Sequence, residues 1–275
     1  MIELHKYSGA GNDFVVLDGR KEDVSEFRTP ERIAALCDRR TGFAAADGRI
    51  GADGLMILTE DPDYDFRMEY YNSDGSGGMM CGNGGRCIVA FADALGLKPA
   101  DGRVFRFAAA DGEHTGKILA REGDLKTVRL RMIDVHVFRP ALDGWFLDTG
   151  TRHFVRFVPD VEAVDIEKEG YAARWDPLFA PIGANANFVS VDPDGTLRVR
   201  TFEKGVEAET LACGTGITAS AIAAYLEGPA AAVSPLSGSV HFGIQARIAR
   251  LAVDFRPGQN CFTDVYLTGP ADEIR

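Results

Sequence analysis

Two runs, residues 86–95 and 217–226, read as helices that are apolar on nearly every side. A helix of that kind cannot lie on a surface and has to be enclosed by other structure. The same short element precedes each run: Met80-Cys81-Gly82-Asn83-Gly84 in the first half of the chain and Ala212-Cys213-Gly214-Thr215-Gly216 in the second. A lone Cys-Gly-x-Gly also fits a buried cysteine in a turn. The same element once per half, each time between a strand-like and a helix-like run, points to a duplicated fold that aims two thiols at one cleft.

The rest of the chain supplies material for two enclosures. Alternating or β-branched runs recur at residues 2–7, 14–17, 66–71, 104–107, 127–131, 154–158, 187–191, 197–202 and 248–255, mostly separated by Gly, Pro or Asp turns. The expected fold is α+β, with two pseudo-symmetric halves, each a mixed, barrel-like sheet wrapped around one central helix. The halves are expected at residues 1–131, carrying Cys81, and 132–275, carrying Cys213, with the last residues packing back on the first half. Residues 132–140 read as the passage between them. Thr29-Pro30-Glu31 reads as an N-cap, a first-turn proline and a first-turn acid, which starts a further surface helix that Gly42 would stop. The second apolar run is expected to end at Glu227-Gly228-Pro229.

At 275 residues, each half is large enough to bury its own core. Thirty Lys and Arg against 41 Asp and Glu leave a formal charge of −11, which argues against a nucleic-acid partner because phosphate backbones call for a basic footprint. No stretch approaches the roughly 18 apolar residues that span a bilayer, and the first residues lack the apolar core of a secretory signal. No membrane association is therefore expected. Five cysteines form an odd set without framework spacing, which fits reduced thiols in a cytoplasm.

The chemistry follows from where the two cysteines stand. A thiol at the first turn of a helix sits among unpaired N–H groups and the positive end of the helix dipole, which favour thiolate. The N–H groups of Gly82, Asn83, Gly214 and Thr215 offer an anion site, and glycine lets a carboxylate approach the backbone. Two such ends would hold one carboxylate and set a sulfur on each side of its α-carbon. That arrangement suits proton removal on one face and delivery on the other. Cys87, Cys37 and Cys261 read as core. The run 72–85 holds six glycines but lacks the residues of a phosphate loop or dinucleotide fingerprint, and Cys81 and Cys87 are too far apart for a zinc knuckle. No metal site and no cofactor are expected.

In order along the chain stand Ser8-Gly9-Ala10-Gly11-Asn12-Asp13-Phe14, Gly51-Ala52-Asp53-Gly54-Leu55, and Tyr71-Asn72-Ser73-Asp74-Gly75-Ser76 with Cys81-Gly82-Asn83-Gly84-Gly85-Arg86-Cys87. Ala184-Asn185-Ala186-Asn187-Phe188, Glu203-Lys204-Gly205 and Glu209-Thr210-Leu211-Ala212-Cys213-Gly214-Thr215-Gly216 follow. In these blocks the sequence resembles the diaminopimelate epimerase family over nearly its whole length. The resemblance implies a cofactor-independent interconversion of L,L- and meso-diaminopimelate, on the route to lysine and cell-wall peptide, by a homodimer acting on a small amino-acid substrate. It implies that Cys81 and Cys213 exchange the α-proton and that His153 and Glu203 assist them. Asn12, Asn72, Asn185, Glu203 and Lys204 match substrate contacts, and Gly82, Asn83, Gly214 and Thr215 match a carboxylate clamp. For each asparagine alone, a turn-forming role fits equally well.

Several positions depart from the family pattern. Gly150-Thr151-Arg152-His153 stands where Gly-Asn-Pro-His is usual, so Thr151 occupies a substrate-contact position. Lys204 replaces an arginine, exchanging a planar fork for a point charge. Residues 43–49 and the stretch after Gly205 look like insertions. These differences leave open a racemase of another amino acid, such as histidine, or an amino-acid-binding protein without turnover.

Overall fold

The computed structural model describes residues 2–78, 80–228, 232–233 and 238–275. The backbone divides into two compact units, Met1–Leu130 with Gly269–Arg275, and Arg131–Thr268. Within each unit a sheet of mixed direction wraps one enclosed helix, so the fold is α+β with two similar halves.

The first unit opens with a hairpin of β1 (Leu4–Gly9) and β2 (Asn12–Asp18), turned by Ala10 and Gly11 at positive φ. Two-residue hairpin turns call for that conformation. The helix α1 (Pro30–Cys37) starts as expected, with the Thr29 hydroxyl accepting from the N–H of Arg32 and Pro30 at the first position. It stops at Cys37 rather than near Gly42. Gly42 instead donates its N–H to the Asp38 carbonyl at 2.9 Å. A side chain there would collide with the Leu36 and Asp38 carbonyls at the helix end.

Next come β3 (Gly54–Thr59), parallel to β2, and β4 (Phe66–Asn72), antiparallel to β3. The enclosed helix α2 (Gly82–Ala94) follows, then β5 (Phe105–Ala109), β6 (Gly112–Glu122) and β7 (Leu125–Arg131). β5 runs parallel to β4, while β6 and β7 continue antiparallel. The end of the last strand, β17 (Phe262–Glu273), pairs antiparallel with both β7 and β1 and closes the ring. Inside it, α2 is buried continuously from Gly82 to Ala92. The helix ends where Gly96 takes positive φ and the N–H of Leu97 reaches the Ala92 carbonyl at 3.1 Å, a glycine-dependent stop.

The second unit repeats this order. Residues 132–140, expected as a passage, include most of β8 (Val137–Ala141), which pairs with β9 (Gly144–Asp148), itself paired with β10 (Arg152–Phe157). After α3 (Ile166–Arg174) comes β11 (Asn185–Val191), parallel to β10, and β12 (Leu197–Glu203), antiparallel to β11. Short β13 (Ala208–Thr210) turns back on β12 before the enclosed helix α4 (Gly214–Glu227). Beyond it lie β14 (Ala232–Val233), β15 (Val240–Gln245) and β16 (Arg250–Pro257). β15 is parallel to β12 and antiparallel to β16, which pairs with the start of β17. Val135 and Phe262 exchange two 2.8 Å backbone hydrogen bonds just ahead of β8 and close this ring too.

From Gly214 to Ala224, α4 is built from Gly, Thr, Ile, Ala and Ser, and its buried Thr218 and Ser220 hydroxyls are satisfied within the helix. Thr218 donates to the Gly214 carbonyl at 3.0 Å and Ser220 to the Gly216 carbonyl at 2.7 Å. Pro229, expected to help end this helix, lies outside the described residues. Cys37 and Cys87 are buried, but Cys261, expected in the core, is only half-buried, in a turn where the Gly258 N–H donates to its carbonyl. Among the described residues no helix is long and apolar enough to cross a membrane.

Candidate active site

Cys81 is the N-cap of α2, with extended backbone angles (φ −107°, ψ 129°), and its side chain does not cap the helix. Its carbonyl accepts the first helical hydrogen bond, from the N–H of Gly85 at 2.7 Å. The N–H groups of Gly82, Asn83 and Gly84 therefore precede the first intrahelical donor and sit at the positive end of the helix. Cys213 is the N-cap of α4 with matching angles (φ −111°, ψ 107°), and the Ile217 N–H reaches its carbonyl at 2.8 Å. Gly214, Thr215 and Gly216 stand as Gly82, Asn83 and Gly84 do. All five cysteines are reduced thiols.

In the first unit, side chains brace the helix end from beneath. Asn83 is buried and donates from Nδ2 to Asn12 Oδ1 at 2.6 Å, and Asn12 donates in turn to Asp53 Oδ2 at 2.9 Å. Arg39 pairs with both Asp53 and Asp13, and Lys6 lies 2.9 Å from Asp13. Burial opposes ionisation of Asp13, but the hydrogen bonds and charges of Arg39 and Lys6 outweigh it and hold the carboxyl below its usual range. Arg86 is fully buried one turn into α2 and donates to the Asn83 Oδ1 (2.7 Å), the Gly82 carbonyl (3.2 Å) and the Pro270 carbonyl (3.3 Å). Gly9 lets the helix come this close, since a Cβ there would stand 2.7 Å from the Asn83 carbonyl oxygen. Asn72 is not part of this network. It closes the turn after β4, donating from Nδ2 to Ser76 Oγ at 2.9 Å. Burial pushes the Cys87 thiol up, so that this cysteine stays neutral in the core.

In the second unit, His153 on β10 is completely buried. Its Nε2 lies 3.0 Å from Thr215 Oγ1, and that oxygen lies 3.4 Å from Cys213 Sγ. On the other side of the ring, Asn187 Nδ2 donates to His153 Nδ1 at 3.1 Å and to the Phe154 carbonyl at 3.0 Å. The Thr201 hydroxyl meets Asn187 Oδ1 at 2.9 Å. Burial pushes His153 down to about 3, and the Lys204 charge adds to that shift. The imidazole is therefore neutral across the physiological range. Gly216 leaves room for this packing, because a Cβ there would meet Asn187 Oδ1 and stand 3.2 Å from the His153 ring.

The remaining expected residues gather at the ends of β10, β11 and β12. Asn185 faces the same side of β11 as Asn187, two residues on. Its amide ties two neighbours together, donating to the Arg152 carbonyl at 2.9 Å and accepting from the N–H of Lys204 at 2.8 Å. Glu203 is the last residue of β12, half-buried, and Lys204 begins the turn that follows. Thr151 is half-buried in the turn before β10, its carbonyl accepting from the Thr149 N–H at 3.1 Å. Among the described residues no cluster of three or more His, Cys, Asp or Glu forms a metal cage.

Arg86, Asn187 and Thr201 support the helix ends without having been singled out from sequence. The signals were available: a guanidinium at the start of an enclosed, mostly apolar run, and a second asparagine at strand spacing from Asn185.

The family model for diaminopimelate epimerase matches residues 4–122 and 145–254. The chain is 39% identical to a diaminopimelate epimerase of Flavobacterium psychrophilum, covering 99% of this chain and 98% of that one. It is likewise 39% identical to a diaminopimelate epimerase of Chlorobaculum tepidum, over 97% of each. Among solved structures, a Bacillus anthracis phenazine biosynthesis protein of the PhzF family superposes with a TM-score of 0.73 at 14% identity, over 100% of this chain and 97% of that one. A hydroxyproline epimerase from Agrobacterium vitis superposes with a TM-score of 0.61 at 16% identity, over 99% and 92%. Those two likenesses concern the fold.

Proposed function

The chain belongs to the diaminopimelate epimerase family, and from that premise we propose that it interconverts L,L- and meso-diaminopimelate without a cofactor, using Cys81 and Cys213 as the two acid/base groups. The observation that carries this reading is that both thiols hold one structural position, the N-cap of an enclosed helix, in the two halves of an epimerase-family chain.

In each direction one sulfur, as thiolate, takes the α-proton and leaves its electron pair on carbon. The other sulfur, as thiol, gives its proton to the opposite face. The configuration inverts, and proton exchange with water restores the starting state. An α-hydrogen beside a carboxylate is a weak acid, so the carbanion needs charge stabilisation. The N–H groups of Gly82, Asn83, Gly214 and Thr215 supply it at the α-carboxylate, aided by two helix dipoles.

His153 and Glu203 tune the thiols. Asn12, Asn72, Thr151, Asn185, Glu203 and Lys204 contact the substrate, whose product feeds lysine and cell-wall peptide synthesis. The working form is a cytoplasmic homodimer. Thr151, Arg152 and Lys204 favour one competing reading, turnover of another amino acid on the same thiol pair.

The test is solvent-deuterium incorporation at the α-carbon of L,L-diaminopimelate beside a panel of other L-amino acids. Label is expected in diaminopimelate, with Cys81→Ser and Cys213→Ser each reducing turnover by orders of magnitude while circular dichroism stays native. Label only in another amino acid reassigns the substrate. Amino-acid binding without any exchange removes the enzymatic reading, and near-wild-type turnover in either variant removes that cysteine from the reaction.

A further inference from the structure

The surroundings of His153 fix the direction of every hydrogen bond that leads to Cys213. The Asn187 amide cannot be turned over, because its nitrogen sits 3.0 Å from the Phe154 carbonyl oxygen, where an amide oxygen would be repelled. An amide nitrogen only donates, so His153 Nδ1 accepts and is unprotonated. A neutral ring then carries its hydrogen on Nε2 and donates to Thr215 Oγ1. With that oxygen accepting from the ring, its own hydrogen is left for Cys213 Sγ.

From this geometry we infer that Asn187 is a positioning residue: it sets the His153 tautomer, and through Thr215 it delivers a hydroxyl hydrogen bond to the Cys213 sulfur. The inference rests on the assignment of Cys213 as an acid/base group. A donated hydrogen bond stabilises the thiolate when Cys213 is the base. When Cys213 is the acid, the same donor occupies a lone pair and leaves the S–H hydrogen for the substrate carbon. No proton moves along the relay, because the buried ring stays neutral. Lys204 is the charged side chain that acts on the ring, and it too disfavours imidazolium. Thr201 and the missing side chain at Gly216 hold Asn187 in place.

Asn187→Asp reverses the relay. A carboxylate at this position accepts from Nδ1–H, which moves the ring hydrogen off Nε2, and the Thr215 hydroxyl then turns to Nε2 and away from sulfur. The readout is the pH dependence of Cys213 alkylation, measured in a Cys81→Ser background. Asn187→Asp is expected to slow alkylation near neutrality roughly tenfold, the worth of one hydrogen bond to a charged group. Thr215→Val is expected to do the same, and Thr215→Ser to restore the wild-type rate. Adding Asn187→Asp to Thr215→Val is expected to change little further, since the path is already cut. If Asn187→Asp slows alkylation as much with Val as with Thr at position 215, its effect is through-space charge and the relay is wrong.

A second measurement needs no variant at position 187. Nitrogen-15 NMR of the labelled wild-type protein, with His153 assigned through His153→Gln, is expected to show the Nε2–H tautomer, unchanged from pH 8 to pH 5. The Nδ1–H tautomer, or titration in that range, overturns the inference. Both measurements read His153 and Cys213 directly, so they stand whether or not diaminopimelate is turned over.

Discussion

His153 shows how a residue's role follows from its surroundings. Taken alone, a histidine beside a thiol is an obvious proton carrier, since its ordinary pKa lies near 6.5. Here burial forbids the charge, and the pKa falls to about 3. The unfolded chain therefore binds a proton between about pH 6.5 and pH 3 that the folded chain refuses, so acidification in that window favours unfolding. Stability should fall by up to about 1.4 kcal/mol per pH unit from this one group as the pH drops below 6. His153→Gln should flatten that slope, as read by urea midpoints at pH 7, 6, 5 and 4. An unchanged slope would mean that the ring is accessible to water and protonated in the native protein.

At the scale of elements, the two enclosed helices were legible because an all-round apolar run has one physical outcome. Gly96, directly after the first apolar run, closes α2 at positive φ. β3 is absent from the expected strands, because residues 54–58 are buried on both faces and show no alternation. α3 is absent from the expected elements for a different reason. Gly170 lowers its helix propensity, yet a Cβ there would stand 2.5 Å from Phe202 Cβ, so packing against β12 demands the glycine. The N-cap Asp165 and the first-turn Glu167 and Glu169 were its readable signals. At the candidate site, the cysteines and glycines could be found from sequence, but the orientation of Asn187 could not, because it depends on the Phe154 carbonyl on another strand. The same logic applies to Gly9, which sets how close α2 lies to β1. Gly9→Ala should destabilise the fold by about 1–3 kcal/mol through overpacking. It should also weaken turnover by shifting the first turn of α2, and a variant with wild-type stability and rate would show that α2 yields without consequence.

At the scale of the molecule, the two units repeat one order of parallel and antiparallel pairs, yet the chain does not build them as two consecutive blocks. β17 contributes its start to the second ring and its end to the first, where Asp272 and Glu273 pair with β1 and residues 269–272 pair with β7. The first ring therefore cannot close until the last residues have been made. β17 is a single run whose two ends serve different rings. A chain truncated after Thr268 should retain every strand of the second unit but expose β1 and β7 as long unpaired edges, which invite edge-to-edge association. It also loses the Pro270 carbonyl that Arg86 donates to, leaving part of a buried guanidinium unsatisfied. The expected outcome is aggregation or a strong loss of cooperative unfolding, followed by sedimentation and thermal denaturation. A soluble truncated chain that unfolds at the full-length midpoint would show that the first ring is held by its other seams.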